Sequence, residues 1–552
     1  MRLTQIPEIA IQRLKRFNVN LEIRHMADQV SQDSNPDPGK EPVVVFNAST
    51  RLVGMSLNAA YALLTSWALR LRGTPVVQFT CWAGMSHCVL GTSRQEVTKS
   101  PPCQACITQS KWLYTGAQVS PFTYSPDQAL QNALENLRLQ QLQEFEYQPG
   151  ESFRNLVSPP LSFATLPLGK LVLPSVRWVL RRHTLQDDEP TCFLLRQYIL
   201  SAYRVAQEFS ALLDKLNPMA VVLFNGQFFP EATARWICQH RNIRSLTHEV
   251  GLQPYSAFFT TGEATAYPLD IPEDFELTDE QNIRLDAYLD QRFLGKFSMA
   301  GVHFWSEMKG LDASLLARIE GFKQVVPVFT NVIFDTSQPH SNVLFPDMFA
   351  WLDLILEVAS INPETLFIIR AHPDEDRPGK ESDESVQQWA ELRQLSQIPN
   401  VLLVSANQMI SSYELIQRAK FVMIYNSTIG LEASIMGALV LCAGRSRFTQ
   451  IPTVIFPTTL QEYRLQLEEL IDAETISVPP HFQSNARRFL YYQLYRSSLP
   501  FNEFLQEDGI WPGFVRLKQF DLDRLTPQAS PTIKTILAGI LDNGDFLLDS
   551  DV

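Results

Sequence analysis

A chain of 552 residues is too long for one ordinary core, so two large domains with appendages are expected. Apolar residues at 45% and charged residues at 19% are the balance of a well-buried globular protein. Lys and Arg number 46 against 59 Asp and Glu, a net charge of −13, which argues against a nucleic-acid partner.

The N-terminus, MRLTQIPEIAIQRLKRF, has positive charge but no apolar core of the length that a secretory signal needs. No run of about 18 apolar residues follows that could span a membrane. Ile6, Ile9, Leu14 and Phe17, with Arg13, Lys15 and Arg16 beside them, suit a short helix. Such a helix either packs on its own domain or lies on a membrane surface as a peripheral contact. The seven cysteines are an odd number without a signal, so a reducing, cytoplasmic setting is expected.

Residues 31–41 are polar and rich in Pro and Gly, a linker. PVVVFNAST is then a strand, SLNAAYALLTSWALRLRG a helix closed by Gly73, and TPVVQFTCWAG a second strand. Strand, helix and strand in so short a span make a βαβ unit and imply a parallel sheet. A Gln/Leu-rich helix is expected near 127–145 and a long one over 193–216, ended by Asn217-Pro218. AVVLFNGQ is a strand, 230–241 a helix and IRSLTHEVG a strand. Residues 271–320 read as helical linker.

A second array follows: strands QVVPVFTNVIF, TLFIIRAHP, NVLLVSA, FVMIYNST, ALVLCAG and TVIFP, with helices over 346–360, 384–397, 411–419 and up to Met436. Near-continuous apolar strands alternating with helices mean a doubly wound α/β domain. The expected division is 1–41 as N-terminal helix and linker, 42–310 as a first Rossmann-like domain with a cysteine-bearing insertion and 321–480 as a second Rossmann-like domain. A helical tail, 481–552, packs back. Its aromatics (Phe489, Tyr491, Tyr492, Tyr495, Phe501, Phe504) are expected in helix packing, not base stacking.

Polar residues gather where the second array's strands end: Thr330-Asn331, Arg370-Ala371-His372-Pro373, Asn426-Ser427-Thr428 and Arg445. In a doubly wound sheet, ligands bind outside the carboxyl ends of the strands. Ser427 and Thr428 open a helix whose free N–H groups favour an anion, Gly430 lets the backbone come close, and Arg370 and His372 add a cation and a ring donor. Glu432 repels a phosphate but suits a ribose diol. The set fits a nucleoside mono- or diphosphate. Helix capping explains each residue singly; it does not explain four polar strand ends on one rim.

IIRAHPDE, followed about 50 residues later by AKFVMIYNSTIGLEASIMGALVL, resembles the C-terminal half of GT-B glycosyltransferases. The similar group is that of capsule polysaccharide biosynthesis, with its Kdo-transferase-like and sialyltransferase-like HP-motif enzymes. VVPVFTNVIFD resembles the segment that opens that group's second domain. The resemblance is clear over about 320–500 and weaker over 42–255. It implies a GT-B-like fold, two Rossmann-like domains facing across a cleft. It also implies that His372, Ser427 and Thr428 meet the nucleotide phosphate, and that Glu432, in an E-x-x-x-x-G context ending at Gly437, holds the ribose. Arg370 resembles the basic residue two before the histidine. The implied reaction moves a sugar from a CMP-, CDP-, UDP- or GDP-linked donor to a glycan or glycolipid acceptor in surface polysaccharide synthesis. The same fold houses nucleotide-sugar 2-epimerases, and a non-catalytic scaffold is a further alternative.

On the acceptor side, His248 and Glu249 follow a strand and are candidate acid/base residues. Asn225 and Gln227 end the strand before it, and Asn47 and Arg51 end the first strand. No D-x-D stands on a convincing strand–loop, so no catalytic cofactor or metal is expected. Cys81, Cys88, Cys103 and Cys106 are spaced C-x6-C-x14-C-x2-C and could complete a structural zinc site, with His87 a substitute ligand; buried free thiols are the other reading.

Overall fold

The computed structural model describes residues 6–49, 54–148, 165–294, 298–299, 302–303, 309–379 and 381–549. The chain forms two compact units. The first comprises Met1–Val179, Leu185–Tyr267 and Tyr495–Val552; the second comprises Leu180–Thr184 and Pro268–Leu494.

Six main strands build the first unit's sheet: β1 (Val43–Asn47), β2 (Val76–Cys81), β3 (Gln118–Phe122), β4 (Ala220–Phe224), β5 (Ser245–Val250) and β6 (Ser256–Thr260). Their order is β6-β5-β4-β1-β2-β3, and Leu499–Pro500 adds an outer strand beside β6. β1 to β5 are parallel; β6 is antiparallel to β5. Burial on both faces explains why β1 reads as an unbroken apolar run. The helix Leu57–Leu71 crosses from β1 to β2. Ser56 caps it by accepting the Ala59 N–H, and Gly73, at φ +78°, turns the chain away. The long helix Glu189–Leu216 starts on an Asp188 cap and ends on left-handed Asn217, as the Asn-Pro pair predicts.

The second unit repeats the plan with β7 (Gln324–Phe329), β8 (Thr365–Arg370), β9 (Val401–Val404), β10 (Val422–Ile424) and β11 (Val440–Cys442). The order is β9-β8-β7-β10-β11, all parallel. Both sheets therefore share one winding: the chain moves outward from its first strand, returns, and continues on the other side.

Several sequence expectations change. β7 ends at Phe329, and TVIFP makes only one bridge, Ile455 to Leu441. The Gln/Leu-rich helix is two short ones, Gln128–Leu134 and Leu139–Gln143. The N-terminal helix is long, Ile6–Asp33, and joins the first unit's core through Val19, Ile23 and Val30. The second unit's main segment runs from Pro268, earlier than expected, and includes the helix Asp279–Phe293, which buries Arg292 against Glu432. The tail divides: Pro480–Tyr495 is helical, whereas residues from Tyr495 onward belong to the first unit and include a hairpin, Leu505–Glu507 with Val515–Leu517. All six tail aromatics are buried, so the packing explanation holds.

Candidate functional site

In the second unit the winding reverses between β7 and β10, and the polar strand ends meet there. Asn331 Nδ2 donates to Asn426 Oδ1 at 2.7 Å, and Asn426 Nδ2 donates to Ser341 Oγ at 2.7 Å. The His372 N–H donates to Thr330 Oγ1 at 3.1 Å. These bonds tie the ends of β7, β8 and β10 into one rim at the switch point, where open α/β sheets bind ligands.

Four side chains on this rim keep open chemistry. His372 Nδ1 accepts the Asp374 N–H at 3.1 Å, which places the ring proton on Nε2. Burial holds the ring below the ordinary histidine range, so it stands there as a neutral donor. Among the described residues the Ser427 and Thr428 hydroxyls have no hydrogen-bond partner, and the exposed Arg445 guanidinium has no ion-pair partner. One cation, one ring donor and two hydroxyls thus stand at or beside the ends of β8, β10 and β11.

Three expected donor-side residues do other work. Arg370 is 3% exposed and donates to the Ser405 and Gln408 carbonyls. It props the loop after β9 instead of facing the rim, and burial pushes it down to about 10, still a cation at neutral pH. Gly430 is explained by packing: a Cβ there would stand 2.3 Å from Ile424 Cδ1. Its helix, Ile429–Ile435, is only two turns long, so its positive end is carried by its first N–H groups rather than by a long dipole. Glu432 is 4% exposed and held on both oxygens: Arg292 Nη2 lies 2.6 Å from Oε1, and the Tyr413 hydroxyl donates to Oε2 at 2.5 Å. Arg292 and Tyr413 were invisible as partners in the sequence, because 140 and 19 residues separate them from Glu432 with no motif between.

The first unit has its own switch point, between β1 and β4. A cavity of about 180 Å³ opens there, lined among others by Phe46, Asn47, Ser49, Asn58 and Phe228. Asn47 Nδ2 donates to Gln78 Oε1 at 2.6 Å. Glu249, half-buried at the end of β5, is fixed by amides: Asn58 Nδ2 donates to Oε1 at 2.8 Å, and Asn225 Nδ2 donates to Oε2 at 2.9 Å. Gln227 donates to Glu263. His248 is 1% exposed, packed against Phe259 at 5.2 Å between ring centroids, and burial pushes its ring down to about 3. The neutral, buried ring has Nδ1 3.3 Å from Asn58 Oδ1, so it backs the amide that clamps Glu249 while Glu249 itself is the more exposed of the two. Arg51 lies outside the described residues. Sequence reasoning missed Asn58, the clamp on Glu249, and Glu231, a fully buried acid that accepts from Ser49 Oγ. Burial pushes the Glu231 carboxyl up to about 8.

Cys81, Cys88, Cys103 and Cys106 are reduced and partly exposed, and each thiolate would be disfavoured by burial before any other cause. Cys103 and Cys106 sit one turn apart on the helix Cys103–Leu113. Among the described residues no three His, Cys, Asp or Glu side chains are arranged to hold a metal ion. The four thiols nonetheless lie close enough to act on one another: after burial, Cys81, Cys106 and Cys103 each push the Cys88 thiol up. No helix among the described residues is long and apolar enough to cross a membrane.

Residues 320–470 match the family described as "Capsule polysaccharide biosynthesis protein". That span contains the whole second-unit rim, and the match bears out the resemblance carried by the HP and Ser-Thr segments. No curated protein matches the chain. Among solved structures, the chain is similar to a KpsC beta Kdo 2,4 transferase of Thermosulfurimonas dismutans, at 12% identity over 50% of this chain and 80% of that one, with a TM-score of 0.34. It is also similar to the KpsC beta Kdo 2,7 transferase of the same organism, at 13% identity over 54% and 84%, TM-score 0.31. A UDP-GlcNAc 2-epimerase from Neisseria meningitidis, bound to UDP-GlcNAc, matches at 12% identity over 82% and 99%, TM-score 0.21.

Proposed function

We propose that this protein is a glycosyltransferase of surface polysaccharide synthesis, binding the nucleotide of a sugar donor on the second unit and a glycan or glycolipid acceptor on the first. The observation that carries this is the rim at the β7/β10 switch point, where His372, Ser427, Thr428 and Arg445 stay open to an anion inside the span that matches the capsule family. Donor phosphate charge grows as the sugar–phosphate bond breaks. Arg445, the Nε2–H of His372 and the two hydroxyls meet that charge, so transfer proceeds without a metal. Glu432 shapes the ribose side through the Arg292 and Tyr413 contacts. On the acceptor side Glu249, aimed by Asn58 and Asn225, takes the proton of the attacking hydroxyl. The cytoplasmic side of a membrane, where nucleotide sugars and lipid-linked acceptors meet, is the setting this chemistry needs.

Calorimetric titration with CMP, CDP, UDP and GDP should find one nucleotide that binds, and Arg445→Ala should weaken it about 10- to 100-fold, the effect of one charged hydrogen bond. A labelled-sugar assay with chelator present should then show transfer to a crude glycan acceptor. Conversion of the sugar nucleotide without any acceptor would establish the epimerase instead. Absence of binding by every nucleotide would leave the scaffold.

A further inference from the structure

The helix Ile6–Asp33 is apolar on two opposite sides. Val19, Ile23, Met26, Ala27 and Val30 are buried in the first unit's core. Facing away from them, Leu14, Phe17 and Leu21 are 62%, 48% and 40% exposed, and Ile11 on the shoulder is 54% exposed. These are four of the twelve large apolar side chains that the described part of the protein exposes, so the exposure is concentrated rather than scattered. At roughly 100° per residue, Phe17, Leu21 and Leu14 fall within about 60° of one another around the helix axis.

Cations border this stripe. Arg13 and Arg24 lie on the Phe17 side, and Lys15 lies beyond Ile11 on the other, all exposed. Arg24 makes a long contact with Asp28, at 3.8 Å, and lies over the Trp112 ring at 5.9 Å; Glu22 is the other nearby acid. Arg16 is turned inward and spent on Asp508 at 2.5 Å. In a chain of net charge −13, this helix face carries three cations, Arg13, Lys15 and Arg24, against two acids, Glu22 and Asp28.

We propose that this face of the helix docks on an anionic membrane surface, with Leu14, Phe17 and Leu21 entering the headgroup boundary and Arg13, Lys15 and Arg24 meeting lipid phosphates. A narrow apolar stripe with basic residues on both flanks matches the lipid-facing edge of interfacial helices, with the protein's own core on the opposite side in place of a polar face. Long basic stems also extend over apolar surface while their heads reach phosphate. The inference does not rest on the donor site.

Flotation of the full chain with vesicles tests it. Phosphatidylglycerol-containing vesicles should carry the protein, pure phosphatidylcholine vesicles should carry much less, and added salt should release it. Leu14→Gln with Leu21→Gln, and separately Arg13→Glu with Lys15→Glu, should each weaken vesicle binding about 10-fold or more while nucleotide binding and the thermal midpoint stay unchanged. Phe17 is left in place because its ring also meets Trp112 at 5.9 Å. The idea is overturned if anionic vesicles carry no protein, if both double variants float like the parent, or if light scattering shows the stripe holding two copies together while vesicles are ignored.

Discussion

The two sheets wind alike, yet their switch points hold opposite chemistry. In the first unit the rim is closed on itself: Glu249 is clamped by Asn58 and Asn225, His248 is sealed among aromatics, and Glu231 is buried outright. In the second unit the structural polar groups also satisfy one another, but hydroxyls, a ring N–H and Arg445 are left over. Shared topology puts a site at the same place twice; only the surplus donors decide which site receives a phosphate.

The largest test of that contrast concerns the charge buried in the second unit. Glu432 and Arg292 are both about 5% exposed on their side chains, so removing one strands the other. Glu432→Ala or Arg292→Ala should cost about 3–5 kcal/mol of stability in urea denaturation. Replacing both together with apolar residues should restore most of it. A Glu432→Ala protein as stable as the parent would mean the pair is not sealed, and would return Glu432 to the role of a free ribose ligand.

The next test sets one buried acid in each unit side by side. Burial pushes Glu231 up to about 8, and does the same to Glu375, which accepts the Val386 N–H. The folded protein keeps a proton on each that the unfolded chain loses near the ordinary value of 4.5. Stability from each is therefore complete below that pH and is lost as pH rises toward 8. Glu231→Gln and Glu375→Gln should each remove part of this decline, by as much as a few kcal/mol at pH 8. Denaturation midpoints across pH 5–9 that move in parallel with the parent would show that neither acid is protonated in the fold.

A smaller effect is expected at Gly430, where Ala would press on Ile424. Overpacking of this kind costs about 1–3 kcal/mol. Gly226, after β4 in the first unit, differs in conformation: at φ +83° a side chain there would add strain to contact with Thr247. The smallest effect is the most diagnostic. Ser427→Ala and Arg445→Ala should leave stability within about 0.5 kcal/mol, since nothing in the fold uses those atoms, while weakening nucleotide binding. A large loss of stability in either variant would make that residue structural and empty the rim of its surplus.

Both windings were legible in the sequence because most strands are short apolar runs and several of the helices between them open on a side-chain cap, as at Ser56, Asp188, Asp347, Ser385 and Ser411. The rim was legible too, since polar residues at strand ends interrupt an otherwise apolar pattern at Asn331, His372, Ser427 and Arg445. What each polar residue touches was not. Arg370 and Glu432 looked alike as ligand residues, but one props a loop and the other is held by an arginine from a distant helix. Nothing in local spacing reports a partner 140 residues away. β3 and β6 were missed for different reasons: QVSPF mixes polar residues and a proline into an edge position, and SAFFT returns antiparallel to β5 with no helix between, outside the strand–helix alternation.

The first unit's core is completed by Phe501, Leu505, Val515, Ile533 and Leu548, which follow the whole second unit in the chain. At the ribosome, the unit begun first is therefore finished last. The β7–β11 sheet, with all its strands between residues 324 and 442, can close while the earlier β1–β6 sheet still exposes the apolar surface those late residues will cover. Nascent chains arrested after Leu494 should thus present a folded second unit beside an aggregation-prone first one, and chaperone dependence should fall only when the last segment emerges.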